Sequence, residues 1–211
     1  MKKIKSFQKF IINEVNEVSK NLIVVDVQKS FRRFFSEMYI NQLQKHCENF
    51  ENVYLIWDNH HEGKNVDSDY LFDESPEIPI SDELYTLPNI KSVIEKRYNY
   101  DVDVNFYKKI LHKEVYDKIL NLEKGKKLKR GDMFHTKEGT AIVYIGNNHK
   151  WFHCPKKLYD ILNKLKNQKI EIVGGSDSEC LLDVTTTAES LGCKITPNHK
   201  FIWSATHCPI K

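Results

Sequence analysis

Cys180 is the residue whose type and setting first suggest chemistry. It stands five residues after the glycine pair Gly174–Gly175, in the segment GGSDSEC. It opens a run in which Leu181, Val184, Thr185, Ala188 and Leu191 recur on one helical face before Gly192 closes it. A thiol at a helix N-terminus is a candidate nucleophile. The positive end of the helix favours the thiolate, and the free N–H groups of the first turn suit a developing oxyanion. Ser176 or Asp177 is placed to cap this helix, and Gly175 would let a substrate approach the backbone closely. Taken alone, a free cysteine is more often a small buried residue than a nucleophile.

Three other residues have the chemistry to serve that thiol. Asp26 interrupts the apolar run LIVVDV and would act as general base and proton donor. The structural alternative is an Asp that holds a neighbouring turn. Lys96, in VIEKRY, would hold charge on Asp26 and on a thiolate, and Lys137, closing DMFHTK, competes for that role. Asp58 follows the run VYLIW, and His60 follows it in turn.

The elements that must position these residues read as alternating strands and helices. Leu22–Val27, Val53–Trp57, Ser92–Glu95, Ala141–Ile145 and Lys169–Gly175 are short apolar or β-branched runs. Residues 4–18, 31–50, 106–122 and 158–165 carry apolar residues at helical spacing, and the segments CKIT and FIWSA are two further short strand candidates. Alternation of this kind predicts one α/β domain over residues 1–211, a mainly parallel sheet with helices on both faces in three layers. In such sheets sites form at the carboxyl ends of the strands, where Asp26, Asp58, Lys96 and GGSDSEC all fall. Residues 59–91, with Pro76, Pro79 and Pro88, read as irregular.

Composition excludes several classes. No apolar run approaches the ~20 residues of a membrane span, and the basic start leads into an amphipathic stretch unlike a secretory signal. The five cysteines at 47, 154, 180, 193 and 208 form no Cys-x-x-Cys pair, which argues against a disulfide framework or zinc ribbon and for a reducing, cytoplasmic setting. A net charge of +3 sets nucleic acid aside as a partner, and the basic run Lys124–Gly131 reads as a solvated loop.

Together these segments resemble the isochorismatase-like cysteine hydrolases, a family that includes nicotinamidases and N-carbamoyl amide hydrolases. VVDVQKSF is similar to the family's first strand, LIWDNH to its Asp-x-His strand, VIEKRYNYD to the strand that bears the catalytic lysine, and IVGGSDSECLLDVTTTAESLGCKI to its nucleophile turn and helix. The likeness spans roughly residues 20–205 and includes features of a phage-associated branch. It implies a catalytic triad of Asp26, Lys96 and Cys180 and a cis peptide at Gly175–Ser176. Oxyanion donors would be the N–H groups of Ser176 and Cys180, and substrate contacts would come from Gln28, Phe31, Asp58 and His60. In nicotinamidases the Asp-x-His pair binds a divalent metal with later histidines. Val66 stands at the first of those positions, so Asp58 and His60 are open as metal ligands or substrate contacts, and no cofactor is required. About eighty residues separate Lys96 from Cys180, more than the family norm. Residues 100–140 are therefore expected to be an inserted helical segment.

The activity so implied is hydrolysis of a small amide or carbamoyl C–N bond through a thioester. The alternatives are a catalytically degenerate binding protein on the same fold, or an isochorismate-type vinyl ether hydrolase. A small molecule is the expected partner, and by resemblance also a second copy of the chain.

Overall fold

The computed structural model describes residues 19–59, 82–97, 104–125, 128–146, 150–204 and 207–210. The helix expected over residues 4–18 lies outside them, as does most of the irregular stretch 59–91.

Five strands form the central sheet: β1 (Asn21–Val25), β2 (Asn52–Asn59), β3 (Ile90–Arg97), β7 (Lys169–Gly174) and β8 (Lys194–Ile202). Their spatial order is β3-β2-β1-β7-β8, and each neighbouring pair is parallel. β1 is the central strand, and all five of its residues are buried. Successive side chains point to opposite faces, so Leu22 and Val24 enter one core and Ile23 and Val25 the other. A strand buried on both faces needs a continuous apolar run, which is why NLIVV does not alternate with polar residues. The two segments CKIT and FIWSA are parts of one longer strand, β8, which pairs with β7 in two stretches separated by a register shift between Ile172 and Gly174.

Helix α1 (Glu37–Cys47) covers one face with Tyr39, Ile40, Leu43 and Cys47. The Ser36 side chain accepts a hydrogen bond from the Tyr39 N–H and so caps it. The preceding residues, Lys29–Phe34, form a 3₁₀ turn rather than the start of one long helix. On the opposite face lie α3 (Lys156–Lys164) and α4 (Cys180–Ser190), which contribute Leu158, Leu162, Leu181, Val184 and Ala188. No helix among the described residues is long and apolar enough to cross a membrane.

The region between β3 and α3 departs from the expectation. It begins as helix, with a 3₁₀ turn (Val104–Lys109) and α2 (Lys113–Lys124). It then forms a separate antiparallel sheet of β4 (Met133–His135), β5 (Ala141–Tyr144) and β6 (Trp151–Cys154). The run AIVYI, which reads as one of the strands of the mainly parallel sheet, belongs to this second sheet. Alternation again explains its position. Val143, Phe152 and Cys154 join the main core under α3 and α4, whereas Ile142 and Trp151 join Tyr107, Leu111, Ile119 and Phe134 in a core of their own. A short apolar run bounded by turns carries no information about which sheet will bury it.

The end of β7 is the tightest point of the fold. Gly174 has φ +100 and lies against the end of β1, where a Cβ would stand 1.9 Å from the Val25 carbonyl oxygen. A Cβ on Gly175 would stand 2.4 Å from the Trp203 carbonyl oxygen and 2.6 Å from its indole. The Gly175 N–H donates to the Val25 carbonyl at 3.0 Å, and the Trp203 N–H to the Gly174 carbonyl at 2.9 Å. The turn into α4 is thereby held between β1 and β8. Gly174→Ala is expected to lower the unfolding free energy by about 2 kcal/mol or more. An unchanged urea midpoint would contradict this packing.

Candidate active site

Parallel pairing brings the chemistry together. β1 ends at Val25, and Asp26 follows with φ +52, a left-handed conformation uncommon outside glycine. Its N–H still donates to the Ile56 carbonyl of β2 at 2.9 Å, so the carboxylate is held at the strand end. Asp58 of β2 and Lys96 of β3 are direct register partners. Cys180 enters from the first position of α4, after the cis Gly175–Ser176 peptide, which lies where the family resemblance implies it.

These four side chains form one buried cluster. The Lys96 Nζ lies 2.7 Å from Asp58 Oδ2 and 3.0 Å from Asp26 Oδ2, and all three residues are 2% exposed or less. The Cys180 thiol donates to Asp58 Oδ2 at 3.8 Å. Asp26, Asp58 and Cys180 each present an atom within 4.8 Å of the others. Neither Asp26 oxygen has a hydrogen bond in ordinary geometry, which leaves a buried carboxyl facing the ammonium and the thiol.

Electrostatics divide the proton among these groups. Burial raises the Asp26 carboxyl; Lys96 opposes this and Asp58 adds to it, and the result is a pKa of about 7. Burial works to lower the Lys96 ammonium, yet Asp26 and Asp58 together hold it well above the usual lysine range. The thiol departs from expectation. Burial first, then Asp26, Asp58 and Asp183, push Cys180 well above the ordinary thiol range, with Lys96 in opposition. The protein therefore holds a neutral thiol beside a carboxyl that titrates near neutrality, in place of the preformed thiolate expected from the helix terminus alone.

The other predicted residues take definite places. Gln28, itself buried, grips the main chain of Asp58 twice: its Nε2 donates to the Asp58 carbonyl at 3.0 Å and its Oε1 accepts from the Asp58 N–H at 2.8 Å. Phe31 packs in the core beside Trp203, with ring centroids 5.6 Å apart. Lys137 is remote from the cluster, on the surface, with its Nζ donating to the Lys109 carbonyl, so Lys96 is the lysine that the fold delivers. His60 lies outside the described residues. Neither Ser176 nor Asp177 caps α4 through its side chain; the Ser176 carbonyl accepts from the Leu181 N–H instead, and Asp177 bonds the Ser178 N–H. The N–H groups of Ser176 and Cys180 donate to none of the described backbone carbonyls. Sequence reading does not single out Asp183, a buried acid one turn beyond Cys180; an acid on the inward face of an otherwise apolar helix was the available signal.

Asp26, Asp58 and Cys180 form the one trio of potential metal donors among the described residues. They do not fit a resident divalent ion, because the Lys96 ammonium already lies between the two carboxylates where a cation would stand. An open groove of about 380 Å³ on the β3 side, lined by Tyr54, Lys91, Lys157 and Lys164 among others, includes none of the clustered residues. Comparison with family models, curated proteins and solved structures finds no match for this chain.

The raised Asp26 carboxyl has a consequence for stability. Between about pH 4 and about pH 7 the folded chain keeps a proton that the unfolded chain has lost, so the contribution of Asp26 to stability falls as pH rises through that window. Asp26→Asn removes the burial cost of the charge. Its urea midpoint is expected to rise relative to the unaltered protein from about pH 5 to about pH 8. A gap that does not change with pH would contradict the assignment.

Proposed function

We propose that this protein is a cysteine hydrolase of isochorismatase-like type, cleaving a small amide or carbamoyl C–N bond. The observation that carries the proposal is the convergence of Asp26, Lys96 and Cys180 from three separate chain segments into one buried cluster beside the Gly175–Ser176 turn. Structural ion pairs also occur in cores. A thiol, a carboxyl near neutrality and a lysine in one place is a combination suited to acyl transfer. The stretch from the 3₁₀ turn at Val104 to β6 is then an insertion into that fold.

Asp26, ionised above pH about 7, accepts the thiol proton as Cys180 Sγ attacks the substrate carbonyl carbon. The carbonyl π pair moves to oxygen, where the N–H groups of Ser176 and Cys180 would receive it. Collapse of the tetrahedral species breaks the C–N bond. The departing nitrogen takes the proton back from Asp26, and a thioester remains on Cys180. Water then attacks the thioester, giving one proton to Asp26. Sulfur leaves and recovers that proton, so the net change is amide plus water to acid plus amine. Lys96 holds the negative charge that passes between Asp26 and the sulfur, and the chemistry needs no metal in that role. Gln28 and Phe31 act through Asp58 and Trp203 as positioning residues.

A second reading has one specific observation in its favour. Cys180 is only 5% exposed, as suits a fold kept for binding rather than turnover. The two separate on a panel of small amides and carbamoyl compounds, with released ammonia or amine measured and hydroxylamine added to trap a thioester. The hydrolase is expected to turn over at least one compound, with kcat/KM rising with pH through about 7 as Asp26 ionises. Cys180→Ala and Asp26→Asn should fold yet lose on the order of 10³-fold or more in rate. Turnover by Cys180→Ala would remove this mechanism, and a protein inert toward the whole panel with no trapped acyl group would favour the binding reading.

A further inference from the structure

Asp58 is not needed to complete the triad, yet it makes the shorter of the two carboxylate contacts to Lys96, 2.7 Å against 3.0 Å for Asp26. Its main chain is held from both neighbouring segments. Asp58 is the register partner of Lys96, and the buried Gln28 amide grips its main chain on both sides. Its Oδ2 also receives the Cys180 thiol at 3.8 Å. We propose that Asp58, fixed by Gln28, is a positioning residue that takes up the Lys96 ammonium and so leaves the Asp26 carboxylate to accept the Cys180 proton. The inference rests on the hydrolase reading above.

Charge balance explains why a second carboxylate is useful. The cluster holds one cation and two carboxylates beside a thiol. If Asp26 alone faced Lys96 at this burial, the pair would hold Asp26 ionised and make it a poor proton acceptor. Asp58 competes for the same ammonium and returns basicity to Asp26. Among the described residues the charged and titratable groups facing this exchange are Asp26 after β1, Asp58 on β2, Lys96 on β3, and Cys180 with Asp183 on α4. The negative charge of Asp58 raises both Asp26 and the thiol, so its loss moves both in the same direction, down.

The test is the pH dependence of iodoacetamide alkylation at Cys180 in the full chain, read by mass spectrometry from about pH 5 to about pH 9, with Cys47 and Cys193 as internal references. In the unaltered protein Cys180 should react faster than these two, with an acid limb near neutrality that Asp26→Asn abolishes. Asp58→Asn is expected to shift that limb by about one unit toward lower pH. Gln28→Met, which keeps the charge but releases its anchor, should shift it in the same direction and decides the matter if Asp58→Asn does not fold. A limb that stays in place in folded variants, even with a lowered urea midpoint, overturns the inference and leaves the hydrolase reading standing. A Cys180 no more reactive than Cys47 and Cys193 in the unaltered protein overturns both.

Discussion

A lysine ammonium almost wholly removed from water is the constraint on which the centre of this structure depends. Lys96 is 2% exposed, and an isolated buried ammonium costs several kcal/mol even after the protein relaxes around it. The fold meets that cost with two carboxylates, Asp26 and Asp58, within 3.0 Å. Removing both would leave the ammonium uncompensated, whereas either alone still pairs with it. The strand order β3-β2-β1 is what satisfies the demand, because three adjacent parallel strands place Lys96, Asp58 and Asp26 side by side near the same ends. Replacing the group with apolar residues would be the cheaper way to fill a core. The presence of charge there is therefore a reason to look for chemistry.

The ion group also determines the state of the sulfur. A helix N-terminus and a lysine favour a thiolate, and either taken alone predicts one. Burial and the surrounding acids outweigh them and keep Cys180 protonated. What the site holds ready is a proton acceptor beside the thiol.

The lower end of β7 shows how closely backbone and chemistry are joined. Gly174 and Gly175 let β1 and Trp203 approach without side chains between them, and after the turn through Ser176 to Glu179, Cys180 stands as the first residue of α4. Trp203 in turn stacks on Phe34 and touches Phe31 and Phe35, so the aromatic segment after Asp26 and the segment before Cys180 share one packing unit. Gln28 adds the link from that segment to Asp58. A shift at any of these contacts would be felt at the cluster.

Much of this was legible in the residues themselves. NLIVV, VYLIW and KIEIVGG are apolar and β-branched over a strand's length, and burial on both faces leaves few alternatives to central parallel strands. Asp26, Asp58 and Lys96 stand out because ionisable residues at such strand ends need partners, and Cys180 because glycines and a helical period flank it. Tertiary structure alone decided the rest. AIVYI reads the same in either sheet, and only long-range packing put it in the antiparallel one. The choice between Lys96 and Lys137 was made by strand pairing, since a local run says nothing about which residues lie across it. The proton on Cys180 was set by burial and by charges brought in from three strands. Sequence spacing conveys which groups are available within one element; desolvation and Coulomb energy depend on distances between elements, and those exist only once the chain has folded.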